Sequence, residues 1–202
     1  MDLRMKPFYK LDFKLGKYIL DNPIVPLPEE LPPRFDDISK WRSIQHDQSK
    51  LLTTEFIDFL TSINIRTESS GNFDHTKVIL AKGGPHSTLP DIHVDYPKVG
   101  WGINFSWGSP NNEMLWYNIK EGEEPTIVPV LSNGLTVPTY TEDQLDFITS
   151  TQITLQPTLV RVSIPHYCIN HDDSEIWSIT MRDTKRWDYK DAVNFFKPWI
   201  VE

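Results

Sequence analysis

The chain has 202 residues, 39% of them hydrophobic and 24% charged, which fits one globular domain large enough to bury a core. Its formal net charge of −8 argues against a broad nucleic-acid surface, because counterion release needs clustered Lys and Arg. No stretch has the length and apolarity of a membrane span, and the N-terminus lacks the apolar run of a signal peptide, so the expected setting is cytoplasmic, with no membrane partner.

An aromatic share of 12%, from seven Trp, seven Tyr and ten Phe, favours strands, since flat side chains pack well on a pleated sheet. Residues 7–20 interleave apolar and cationic positions like an edge strand. Pro23, Pro26, Pro28, Pro32 and Pro33 then fix φ and remove backbone donors, which predicts an extended arm over the body. From Ser49 to Asn64 the apolar residues Leu52, Phe56, Phe59, Leu60 and Ile63 recur every three or four positions, the signature of a helix face. A second helix is expected from Thr141, where Thr141-Glu142-Asp143-Gln144 has the capping-box pattern, and a third over Tyr189 to Phe196.

Short strands are expected at Lys77–Ala81, Gly102–Trp107, Met114–Ile119, Thr126–Val130, Leu159–Ile164 and Ile176–Met181, punctuated by Gly/Pro/Asn/Ser turns. Many short strands without regular β-α alternation predict a mainly β domain, a sandwich or jelly roll covered on one side by helices. The expected organisation is one domain over 1–202: strand and Pro-rich arm at 1–48, helix at 49–64, β core at 75–182 and tail at 183–202.

His93-Val94-Asp95 sets two metal-capable side chains two residues apart, and the period of an extended strand turns both to one face. His166, behind Pro165, supplies a third ligand. Two imidazoles and one carboxylate with open positions suit non-haem Fe(II), with Mn, Co or Zn as competitors. His171 sits in the polar run His171-Asp172-Asp173-Ser174-Glu175 and reads as an exposed turn; His86 reads as a loop histidine, and His46 and His75 have no partner pattern. The lone cysteine, Cys168, reads as a small apolar strand residue.

The runs Ile92–Asp95, Trp101–Gly108, Met114–Tyr117 and Val160–Asn170 resemble the double-stranded β-helix oxygenases that use Fe(II) and 2-oxoglutarate. Within these they look like the aspartyl/asparaginyl β-hydroxylase-like branch and its phage and marine-bacterial relatives. The order of His-x-Asp early and Pro165-His166-x-x-x-Asn170 late carries the likeness. The resemblance implies a cupin-like jelly roll, iron held by His93, Asp95 and His166, and a dioxygenase that hydroxylates a small-molecule or peptidyl substrate.

The family's Arg for the far carboxylate of 2-oxoglutarate falls here on Ile176, while the serine of the same Arg-x-Ser pattern is kept at Ser178. Isoleucine cannot replace a bidentate cation, so Asn104, Arg161, Ser178, Arg182 and the loop residue Lys98 stand as alternative contacts for the cosubstrate. Trp107, Trp116 and Tyr117 are expected at the substrate pocket, against the bland reading that strand aromatics, Trp101 and Trp177 included, build the core. Asn104 and Ser106 alternate with Phe105 and Trp107, which predicts polar groups inside the barrel and aromatics facing the helices. Two rivals remain: a degenerate binding or structural protein of the same fold that has lost 2-oxoglutarate, and a cupin-like metalloenzyme that never used it. The Pro-rich arm has the reach to join a neighbouring subunit in an oligomer.

Overall fold

The computed structural model describes residues 5–21, 42–65, 77–84, 92–95, 100–129, 136–182 and 187–201. Its strands are β1 (Phe8–Lys10), β2 (Arg42–Asp47), β3 (Lys77–Gly83), β4 (Ile92–His93), β5 (Trp101–Trp107), β6 (Asn112–Ile119), β7 (Thr126–Pro129), β8 (Thr136–Tyr140), β9 (Leu145–Thr151), β10 (Thr158–Arg161), β11 (His166–Asn170) and β12 (Ile176–Met181). Two helices accompany them, α1 (Thr54–Ser62) and α2 (Tyr189–Phe196).

The strands form two antiparallel six-stranded sheets, ordered β1-β10-β5-β12-β3-β2 and β7-β8-β4-β11-β6-β9. Leaving aside β1 and β2 at the ends of the first sheet and the β7–β8 hairpin added to the second, the remaining eight strands alternate between sheets in chain order except at the middle, where β6 and β9 pair with each other in the second sheet. They leave β10-β5-β12-β3 facing β4-β11-β6-β9. That winding is the double-stranded β-helix, a jelly roll.

Alternation within strands decides what each face buries. In β5, Trp101, Ile103 and Phe105 join a cluster with Phe56 and Leu60 of α1, Ala192 and Phe196 of α2, and Leu11, Phe13 and Ile19 of the N-terminal segment. Each fully buried Phe here contributes about 1.5–3 kcal/mol by leaving water. The opposite face of the same strand presents Gly102, Asn104 and Ser106 to the barrel interior. There Met114, Trp116, Ile153, Val160, Val162 and Ile164 form a second cluster. The expected division, aromatics towards the helices and polar groups inward, therefore holds.

Helix α1 starts at Thr53, whose hydroxyl accepts from Phe56 N–H at 3.3 Å, and α2 spans the expected residues. The helix expected from Thr141 is not there. Thr141 N–H does donate to Gln144 Oε1 at 3.0 Å, but only a single 3-10 turn forms at Glu142–Gln144 before the chain becomes β9. The capping pattern satisfied a turn, and pairing of Leu145–Thr151 with β6 then outweighed a weak helical period. The strand expected over Leu159–Ile164 ends at Arg161. Val162 leaves the ladder, donating to Gly100 O at 3.2 Å and accepting from Asp95 N–H at 3.0 Å. Most of the Pro-rich arm, with His75, His86 and Lys98, lies outside the described residues. Among the described residues no helix is long and apolar enough to cross a membrane.

Candidate metal centre

His93 closes β4 and pairs across the ladder with Thr139 of β8 on one side and His166 of β11 on the other. Directly opposed residues project from the same face of a sheet, so the two imidazoles stand side by side, with ring centroids 4.7 Å apart. Beyond β4 the chain stays extended: Val94 N–H donates to Pro138 O, and Asp95 N–H to Val162 O, both at 3.0 Å. The second bond ties Asp95 to the end of β10 in the other sheet, at the rim of the barrel. Parity then turns Asp95 to the face of His93.

The three side chains converge. His93 Nε2 lies 3.6 Å from Asp95 Oδ1, and His166 Nε2 lies 3.9 Å from Asp95 Oδ2. All three donor atoms fall within 4.8 Å of one another, and all three residues are buried. Donors about 2.1 Å from a metal in cis positions of an octahedron are about 3.0 Å apart, so an ion would draw these together by no more than about 2 Å. His166 Nδ1 lies 2.9 Å from Ile164 O. A proton on Nδ1 donates to that carbonyl and leaves the Nε2 lone pair facing Asp95, the tautomer a ligand needs.

Protonation states match the same role. Burial lowers the His166 pKa, the neighbouring His93 lowers it further, and despite the pull of Asp95 it falls to about 3. The ring is neutral at pH 7. Burial pushes the Asp95 carboxyl up, but the Arg182 guanidinium and the two imidazoles together hold it well below the usual carboxylate range. A neutral imidazole and an ionised carboxylate are what a divalent cation binds. Two nitrogens and one oxygen, on one side of a barrel mouth, fit Fe(II), Mn, Co or Zn.

Arg182 follows β12 directly, and its guanidinium contacts Asp95 Oδ2. Chain direction explains the meeting. β11 leaves the mouth at His166, a short turn reverses the chain, and β12 returns to the mouth at Met181–Arg182. Ile176, at the opposite end of β12, is about 20 Å away at 3.3 Å per residue. Its side chain is buried with Ala81 and Val137, and Cys168 packs there as a small apolar residue. The immediate surroundings of Ile176 are therefore apolar.

The other expected site residues divide. Asn104 and Ser178 face the interior; Ser178 Oγ shares a 2.7 Å hydrogen bond with Ser106 Oγ, and Asn104 Oδ1 is buried without a partner among the described residues. Trp116 also faces inward, opposite His166, with Nε1 donating to Arg161 O at 2.8 Å and Phe8 stacked on its ring at 5.5 Å. Arg161 does not join them. Its guanidinium lies over the Tyr189 ring at 5.8 Å, on the side of the sheet facing α2. Tyr117 packs on the outer face of its sheet with Ile92, Tyr140 and Leu145. Trp107 stacks on Trp177 at 6.3 Å beside a groove of about 740 Å³ formed with Tyr18 and Leu155, on the side of the first sheet facing the helices. His171 lies in the turn after β11, 3.4 Å from Glu113, as its polar surroundings implied.

Asn170 of the Pro-His-x-x-x-Asn pattern is fully buried and serves the fold. Its Nδ2 donates to Gly84 O at 2.9 Å and Ser174 O at 2.7 Å, and its Oδ1 accepts from Asp172 N–H at 3.2 Å. Two features escaped sequence reasoning: the Ile164 carbonyl behind His166, which no side-chain pattern signals, and the contact of Arg182 with the Asp95 carboxylate. Strand direction carried the second signal, because the residue ending β12 must return to the end of the barrel where β11 began.

No protein-family model matches the chain, and no curated protein matches its sequence. Solved structures similar to it include an oxalate oxidase in complex with the substrate analogue glycolate, with TM-score 0.37, 10% identity, and 89% of this chain and 74% of that chain covered. A recombinant oxalate oxidase in complex with glycolate gives 0.36 and 12%, covering 89% and 74%. Peruvianin-I, a cysteine peptidase from Thevetia peruviana latex, gives 0.33 and 6%, covering 89% and 90%. At this level of similarity neither activity passes to this chain.

Proposed function

We propose that this chain is a mononuclear non-haem metalloenzyme in which His93, Asp95 and His166 hold Fe(II), and that it acts as a dioxygenase with 2-oxoglutarate as cosubstrate. The observation that carries the reading is the convergence of two imidazoles and a carboxylate, all buried, at the mouth of a jelly roll. When bound, the iron would supply oxygen activation coupled to oxidative decarboxylation of the cosubstrate, leading to hydroxylation of a small-molecule or peptidyl substrate. The chain's own part is to fix three ligands on one side and leave the others open. Ile164 O orients His166. Trp116, Val160 and Val162 make the wall beneath the ligands apolar and exclude water from it.

One observation favours a second reading, a cupin-like metalloenzyme that does not use 2-oxoglutarate. Ile176 is buried in an apolar cluster with Ala81 and Val137, which offers no cation for a second carboxylate among the described residues there. Aerobic assays of the Fe(II)-loaded chain separate the two. The first reading expects 2-oxoglutarate to be converted to succinate and CO₂ in a one-to-one ratio, and conversion to stop in Asp95→Ala. Oxygen uptake with other organic acids and no succinate would favour the second reading. Metal binding with no turnover of any kind would leave a binding protein of the same fold.

A further inference from the structure

Arg182 stands where a metal's charge would otherwise be. Its guanidinium contacts Asp95 Oδ2, the oxygen that also faces His166 Nε2 at 3.9 Å. A carboxylate buried among two imidazoles and apolar strands needs a compensating cation in the metal-free protein. Arg182 supplies one, with its side chain 15% exposed. Its position lets it move, because it follows the last residue of β12 and lies at the rim rather than within the ladder.

A divalent ion drawn to Oδ2, between Asp95 and His166, would bring like charge beside the guanidinium and weaken its pairing with that oxygen. Gly102 lines the inner face of the neighbouring strand, where a Cβ would stand 3.3 Å from Met181 O and 3.5 Å from Asn104 Oδ1 and Thr180 Cγ2, so glycine lets Asn104 sit close to the end of β12. Two buried polar atoms of this region have no hydrogen-bond partner among the described residues, the donor Arg182 Nε and the acceptor Asn104 Oδ1. An open donor on a cation beside a metal's free positions suits an anionic ligand.

We propose that Arg182 is an exchangeable placeholder: it neutralises Asp95 in the metal-free chain, yields that oxygen to the incoming ion, and then grips a carboxylate bound at the ion's open positions. The inference rests on the metal reading above and adds the anion's location, at the mouth rather than at the deep end around Ile176. Arg182 acts here as a positioning residue for the metal and a binding residue for the anion. A planar fork pairs with a carboxylate through two parallel N–H bonds, which a lysine cannot reproduce.

The test is calorimetric Co(II) titration at fixed pH 7.5 of wild type, Arg182→Met, Arg182→Lys and Asp95→Ala, each repeated with 2-oxoglutarate and with oxalate. Without a carboxylate, Arg182→Met is expected to bind Co(II) at least tenfold more tightly than wild type, because the competitor is gone. With either acid, wild-type affinity for Co(II) is expected to rise, while Arg182→Met and Arg182→Lys gain little. Equal or weaker Co(II) binding by a folded Arg182→Met overturns the placeholder role, and an unchanged carboxylate effect in that variant overturns the anion role. No Co(II) on any protein, wild type included, removes the metal reading and this inference with it. Should Arg182→Met fail to fold, Zn(II) titration of wild type followed at the Arg182 Nε–H NMR resonance decides. Solvent exchange of that proton is expected to change on Zn(II) binding, and an unchanged rate overturns the proposal.

Discussion

Replacing Asn170 with alanine separates a fold-holding residue from a metal-holding one within the same short motif. The amide is fully buried and makes three hydrogen bonds, to Gly84 O at 2.9 Å, to Ser174 O at 2.7 Å and from Asp172 N–H at 3.2 Å. At about 1 kcal/mol net for each, the loss is about 3 kcal/mol, and it falls on the turn that reverses the chain from β11 to β12. For a chain of 202 residues, that lowers Tm by about 6–12 °C. Urea unfolding gives the free energy, and Co(II) titration at 15 °C, where the variant stays folded, gives the metal affinity. The variant is expected to lose stability and to bind metal within about threefold of wild type, a difference of under about 0.7 kcal/mol. Unchanged stability, or a large loss of metal affinity in folded protein, would refute the assignment of Asn170 to the fold.

Gly108 has φ +92°, and a Cβ there would lie 2.5 Å from Glu175 O, so Gly108→Ala should cost about 1–3 kcal/mol, read by the urea midpoint. Tyr189 is 4% exposed, and its hydroxyl has no hydrogen-bond partner among the described residues, so Tyr189→Phe should leave stability at pH 7 unchanged or raised. Burial also raises the Tyr189 pKa above the ordinary 10, so folded protein keeps a proton that unfolded chain releases. That contribution is whole below pH 10 and is lost as pH rises beyond it; Tyr189→Phe should flatten the alkaline fall in Tm. Thr53→Ala removes the hydroxyl that accepts from Phe56 N–H and donates to Lys17 O at 2.8 Å, at a cost of about 1 kcal/mol in thermal unfolding.

The jelly roll was legible where alternation was strong. Trp101-Gly102-Ile103-Asn104-Phe105-Ser106-Trp107 separates its two faces by composition alone, and the structure sends Ile103 and Phe105 to the helices and Asn104 and Ser106 inward. Short edge and hairpin strands were less so. β1 and β2 are held by partners remote in sequence, β10 and β3, whose register no local pattern encodes. Leu145, Phe147 and Ile148 suggested a helix face, yet Phe147 is 59% exposed on β9, the strand at the end of the second sheet. There pairing with β6, not burial of an apolar stripe, decides the conformation.

At the site, the two-residue spacing of His93 and Asp95 was enough to forecast a shared face, because strand geometry enforces it. The arrival of His166 beside them needed the whole topology: His93 and His166 pair directly across β4 and β11. Arg182 shows the reverse difficulty. Its distance from Ile176 was readable from strand rise, but its contact with Asp95 depends on how two sheets close around one mouth. Arg161 had the parity of Leu159, and the structure sets its guanidinium over Tyr189 rather than inside the barrel.

The central claim is that one metal ion binds to His93, Asp95 and His166. Anaerobic Fe(II) calorimetry at pH 7.5 on wild type, His93→Ala, Asp95→Ala and His166→Ala, with circular dichroism to verify folding, tests it most directly. The account predicts one ion per chain in wild type and a loss of at least a hundredfold in affinity in each folded variant, about 2.7 kcal/mol or more. Wild type that takes up no Fe(II), or folded variants that bind it as tightly as wild type, would contradict it.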